Sequence, residues 1–212
     1  MPHAHFRGEL TFRWLDDGRL MQLLSEFAFI DAGGTEWVVP GTAVIDGASI
    51  PRVLWAIVGG PYEGKYRKAS VVHDWYCDVR TREWQAVHRM FHEAMLVSGV
   101  DATQARVLYL AVRYGGPRWS NTAIANSQLA SGEKWSEAAP GSMATPDLGP
   151  VASDEGPATP GQVIWRRAIA DTAPFEAMAA RVAAEGLSID EIDRLADEQP
   201  ADIVTKAVPL RR

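Results

Sequence analysis

Asp46-Gly47-Ala48-Ser49-Ile50-Pro51-Arg52, Val72-His73-Asp74-Trp75-Tyr76-Cys77 and Val87-His88-Arg89-Met90-Phe91-His92-Glu93-Ala94-Met95 are three pieces of one stretch, Asp46 to Met95. Groups able to bind a metal or move a proton sit there among large apolar residues. In the second piece, Ala69, Val72, His73 and Tyr76 recur at helical spacing over Tyr66 to Cys77, so His73 falls on the inward stripe. The third piece belongs to a helix starting near Thr81 or Arg82, with Trp84, Val87, His88, Phe91 and Met95 inward. His88 lies within that stripe and His92 one turn on, at its edge. Gly99 ends this helix. A further helix starts at Asp101 or Thr103, buries Val107, Leu110, Ala111 and Tyr114, and stops at Gly115-Gly116-Pro117.

Upstream, residues 6–45 read as three or four antiparallel strands. Asp16-Asp17-Gly18 and Ala32-Gly33-Gly34 mark turns, and Pro40-Gly41 separates two short strands. Asp46 to Ser49 is then a loop at the end of the sheet. Ser49 suits the cap of a short helix with Pro51 in its first turn, where the missing N–H costs nothing. The fold class is α+β: antiparallel hairpins packed with a three- to four-helix cluster over residues 1–119.

Downstream, residues 120–162 form a linker rich in Pro, Gly, Ala and Ser, with the composition of a disordered segment. Residues 163–212 read as a helical tail. Gln162 to Ala184 reads as a helix, interrupted or kinked at Pro174, and Ser188-Ile189-Asp190-Glu191 is a capping box opening a second. The tail holds too few large apolar residues for a core of its own. It docks on a partner, on the main domain or on another copy.

Bulk composition narrows the function classes. Of the 212 residues, 47% are apolar and 23% charged, a balance that supports a buried core. A net charge of −6, with no Lys/Arg block, argues against non-specific nucleic-acid binding and against a basic membrane patch. One cysteine, Cys77, excludes an internal disulfide and a cysteine-rich zinc site. No apolar run approaches the roughly 20 residues that span a bilayer. The first residues lack a signal-peptide pattern. The expected setting is cytoplasmic or virion-associated.

A histidine on a buried helix face must satisfy both ring nitrogens, by hydrogen bonds or by a metal. Two such residues on neighbouring helices favour a shared ion, Zn²⁺ or a similar divalent metal. The expected ligands are His73 and His88, with Asp46, Asp74 or His92 completing the shell. His88 and His92, four apart, project the same way. Asp74 alternatively holds an imidazole from behind or is exposed. Asp46 is a ligand, a general base or a turn carboxylate. Ser49 is a helix cap or, with Asp46 and Asp74, part of a catalytic set; no Gly-x-Ser-x-Gly elbow surrounds it. Cys77 reads as an inert, half-buried thiol. Arg52 reads as a structural ion-pair partner. Core packing accounts for most of the tryptophans.

The order of these pieces resembles the domain-of-unknown-function family 1353, found in bacteria, phages and prophages. The resemblance rests on Asp46-Gly47-Ala48-Ser49-Ile50-Pro51-Arg52, on Tyr66, Ala69, His73 and Asp74, and on Arg82, Phe91, Ala94, Met95, Gly99 and Val100. It covers roughly residues 6–118. One position departs: the family usually has Asp where this chain has His88, and both are metal ligands. The resemblance implies a phage or prophage setting and no particular reaction.

Two functions are compatible with these observations. One is a metal-dependent hydrolase acting on a peptide or amide bond of the cell wall. The other is a non-catalytic structural, assembly or host-interference protein. It would dock other phage or host proteins, or a second copy, through residues 163–212. Convergence of Asp46, His73, Asp74 and His88 on one open point favours the first; a dry, closed cluster favours a structural network.

Overall fold

The computed structural model describes residues 3–16, 20–45, 50–58, 64–119, 164–167, 169–199 and 203–204. Six short strands come first: β1 (His5–Arg7), β2 (Phe12–Trp14), β3 (Met21–Leu23), β4 (Phe27–Ile30), β5 (Glu36–Val39) and β6 (Val44–Ile45). They form two three-stranded antiparallel sheets, ordered β1-β4-β5 and β2-β3-β6. Every residue of β4 is buried, because it is the central strand of its sheet and carries an unbroken apolar run. The β4–β5 turn is held by Asp31, whose carboxylate accepts the Thr35 backbone N–H at 2.8 Å and the Trp37 indole N–H at 3.0 Å. Gly34 takes a left-handed φ of 82° there.

A 3₁₀ turn (Arg52–Leu54) leads into α1 (Trp55–Val58), and another (Gly64–Tyr66) leads into α2 (Arg67–Val79). Then follow α3 (Trp84–Val97) and α4 (Ala102–Gly115). The turn after α2 is tight: Arg80 is left-handed, with φ 52°, and its N–H reaches the Tyr76 carbonyl. The Asp101 side chain caps α4, accepting from the Thr103 and Gln104 N–H groups. The inward stripes meet as their spacing requires. Ala69, Val72, Val87, Phe91, Met95, Leu108 and Ala111 all have 0% exposure, and they join the sheet residues Met21, Phe27 and Ile45 in one core. The α+β class and the antiparallel β region followed by a helix cluster are therefore as expected. The strands are more numerous and split between two sheets.

After α4 comes β7 (Arg118–Trp119), which pairs with β8 (Ile164–Arg167); β8 in turn pairs with β9 (Ile203–Val204). Helices α5 (Ala173–Glu185) and α6 (Ile189–Asp197) lie between them in sequence. The helix expected from Gln162 to Ala184, interrupted or kinked at Pro174, differs from this in its first part. A strand occupies its first part, and Pro174 stands in the first turn of α5, where its absent N–H is harmless and its fixed φ helps to start the helix. Ser188 and Glu191 form the expected capping box. Phe175, Val182 and Ile192 are fully buried within the same core as the first helices, so the tail helices lie against the body of the protein. No helix among the described residues is long and apolar enough to cross a membrane.

Candidate metal centre

Helices α2 and α3 face each other, and their inward histidines meet. His73 Nε2 lies 2.9 Å from His88 Nδ1, a hydrogen bond between two rings of 0% exposure. One turn along α2, Cys77 Sγ lies 3.6 Å from His73 Nε2 and 3.8 Å from its Nδ1. One donor atom from each of His73, Cys77 and His88 lies within 4.8 Å of the others. Phe91 lies tilted at 4.6 Å from His73, and Trp84 and Trp119 stand edge-on to His88 at 5.5 and 6.5 Å. The walls are thus aromatic, and the centre is buried.

Burial lowers the His88 pKa well below the ordinary imidazole value. The His73 ring and the Arg113 and Arg118 guanidiniums push it the same way. The Pro117 backbone favours the charged ring but makes no hydrogen bond of good geometry with Nε2, which has no partner among the described residues. Burial keeps the ring neutral, the form in which histidine binds metals, and the nitrogen it turns towards His73 is Nδ1.

The separations measured from His73 fit an ion after a small adjustment. Tetrahedral zinc with ordinary bond lengths places two imidazole nitrogens about 3.3 Å apart and a thiolate sulfur about 3.6 Å from each. The Cys77–His73 separation already has that value, and the two histidines need part by only a few tenths of an ångström. Two imidazoles and a thiolate are a borderline-soft set that suits Zn²⁺ over Mg²⁺ or Ca²⁺. The group can therefore hold a metal ion.

The other residues singled out in the sequence lie elsewhere. His92 projects from α3 towards Tyr109, with ring centroids 5.8 Å apart. Burial and Arg106 push its pKa down to about 4, and it is not part of the His73–Cys77–His88 group. Asp74 is buried on α2, 2% exposed, also outside that group. Asp46 and Ser49 lie outside the described residues, as does the side chain of Arg52. Cys77 is the member that sequence reasoning set aside. Its signal was present: His73 and Cys77 are four apart on one helix, so both reach the same neighbour. Arg82, one of the residues carrying the resemblance, clamps strand to helix. It donates to the Glu36 carbonyl at 2.8 Å and lies over Trp37 at 4.3 Å, while its own carbonyl accepts the Trp119 indole N–H.

A second polar cluster borders the centre. The Arg113 and Arg118 guanidiniums lie over Trp84 at 4.7 and 5.0 Å. Arg113 pairs with Asp193 at 2.8 Å and with Asp197 at 2.6 Å. Asp193 also accepts from Tyr109 and Arg89, and Arg89 reaches Asp190. The three aspartates are on α6, so the tail helix lays an acidic face on arginines of α3, α4 and β7.

No solved structure matches this chain significantly. Two curated proteins of Sinorhizobium fredii (strain NBRC 101917 / NGR234) do match. "Uncharacterized protein y4jT" is 44% identical over 105 residues, 50% of this chain and 31% of its own length. "Uncharacterized protein y4iH" is 43% identical over 97 residues, 46% of this chain and 41% of its own length. The chain spans less than half the length of either relative. Residues 21–112, the segment that carries His73, Cys77 and His88 and stops just before Arg113, match the family described as "Protein of unknown function (DUF1353)".

Proposed function

We propose that this protein is a metal-dependent hydrolase of phage or prophage origin, with Zn²⁺ held by His73, Cys77 and His88, acting on peptide or amide bonds such as those of the cell wall. The observation that carries the reading is the gathering of two imidazoles and a thiol within 4.8 Å, with His73 Nε2 and His88 Nδ1 facing each other at 2.9 Å. Three protein ligands are the number at which a zinc centre keeps a fourth position for a reacting group. A zinc ion held there would supply Lewis-acid activation of water or of a substrate carbonyl. The chain's own residues hold His73 and His88 in place by packing, keep His88 neutral by burial, and exclude bulk water with Trp84, Phe91 and Trp119.

Full burial of His73 and His88 supports a second reading, in which the ion is structural and the protein is a non-catalytic docking component. One preparation separates the two. Metal-free protein is titrated with Zn²⁺, and with Co²⁺ as a spectroscopic stand-in, then assayed on peptidoglycan fragments. The hydrolase reading expects about one ion per chain, a thiolate-to-cobalt absorption lost in Cys77→Ser, and cleavage that requires the ion. Metal binding without cleavage leaves the structural ion; no binding removes the centre.

A further inference from the structure

The acidic face of α6 lies one layer away from the metal ligands. Asp193 and Asp197 bind Arg113, which is 5% exposed, and Asp197 lies 3.9 Å from Arg118, also 5% exposed. Both guanidiniums rest on Trp84, whose ring packs against His88. Resting on the metal reading above, we propose that α6 is a charge-compensating clamp on the centre. Ion binding at His73, Cys77 and His88 and docking of Asp193 and Asp197 on Arg113 and Arg118 then strengthen each other.

The physical argument is one of charge in a buried place. A divalent cation entering this site meets two fixed positive charges behind a single indole ring, and in surroundings of low polarity that repulsion is weakly screened. Burial and Arg113 pull the Arg118 pKa down to about 10, and Asp197 and Asp193 oppose that fall. Asp193 and Asp197 supply the compensating negative charge, and they do so only while α6 is docked. By linkage, an ion that gains from the docked helix must hold that helix down by the same factor. The matched family segment ends at residue 112. Arg113, Arg118 and α6 are thus a feature of this chain outside the matched segment, built as one unit.

The test uses the full chain and zinc alone. Zn²⁺ affinity is measured by competition with a chelator for the wild type, for Asp193→Asn with Asp197→Asn, and for Asp190→Asn. Among the described residues the Asp190 carboxylate pairs with the outlying Arg89 and with neither Arg113 nor Arg118, so it serves as the control. The double variant is expected to bind roughly tenfold more weakly, with the control unchanged. In the wild type, hydrogen exchange of the α6 amides is expected to slow by a similar factor when Zn²⁺ is added. Wild-type Zn²⁺ binding with equal affinity in the folded double variant overturns the clamp and leaves the metal reading intact. Should the double variant not fold, wild-type exchange unchanged by bound Zn²⁺ overturns it by itself. A wild type that takes no Zn²⁺ removes both.

Discussion

His88 and His92 sit one turn apart on α3 and have different fates, decided by what faces each ring. His88 meets another ring and a thiol and is walled by aromatics. His92 meets Tyr109, and its Nε2 is buried without a partner among the described residues. Its folded pKa of about 4 lies below the value of 6.5 expected in the unfolded chain. As pH falls through 6.5 the unfolded chain takes up a proton that the folded ring refuses until about pH 4. Stability is therefore lost across that window and is unaffected above it. We expect His92→Gln to remove this component, on the order of 1 kcal/mol once the ring's partial exposure is allowed for. Urea unfolding of both proteins at pH 7 and pH 4.5 checks it; equal losses would refute the assignment.

At the scale of elements, Gly115 at the end of α4 is where three parts of the chain press together. A methyl group on its Cα would stand 2.6 Å from the Pro51 ring and 2.7 Å from Ile169. The helix end, the loop after β6 and the chain before α5 thus approach as closely as a residue with no side chain permits. The Pro51 ring cannot swing away. Gly115→Ala is expected to cost about 1–3 kcal/mol through overpacking, although alanine is the better helix former. Thermal unfolding measures it, and a stabilised variant would contradict the packing. From the sequence, this glycine read as a helix stop; its contact with Pro51 joins residues 64 positions apart, and no local pattern encodes that.

For the whole molecule, the tail contributes to the common core. Phe175 is fully buried with its ring tilted against Tyr114 at 5.9 Å, Val182 and Ile192 are fully buried in the same core, and Arg167 lies over Tyr114 at 4.1 Å. Phe175→Ala is expected to destabilise the entire protein by about 3–5 kcal/mol, seen as one cooperative transition shifted to lower denaturant. If only a minor early transition moved, the tail would be unfolding by itself. The acidic face of α6 follows the same logic in polar terms. A guanidinium as buried as Arg113 requires paired carboxylates, and removing them leaves an uncompensated charge inside.

Much of this was legible in the chain. Apolar spacing identified α2, α3 and α4 and turned His73 and His88 inward, because a helix has one period and one buried stripe. Turn residues marked the strand region, and Ser188 with Glu191 marked the start of α6, because caps are local chemistry. The sequence could not decide which of His92, Asp74 or Cys77 would stand beside the two histidines, since that depends on the rotation and offset of α2 against α3. Nor could it say that Asp190, Asp193 and Asp197 would meet Arg89, Arg113 and Arg118, about 80–100 residues away in the chain. Spacing along a helix fixes which side chains share a face; only the packed molecule brings two faces together, and the candidate centre exists where they touch.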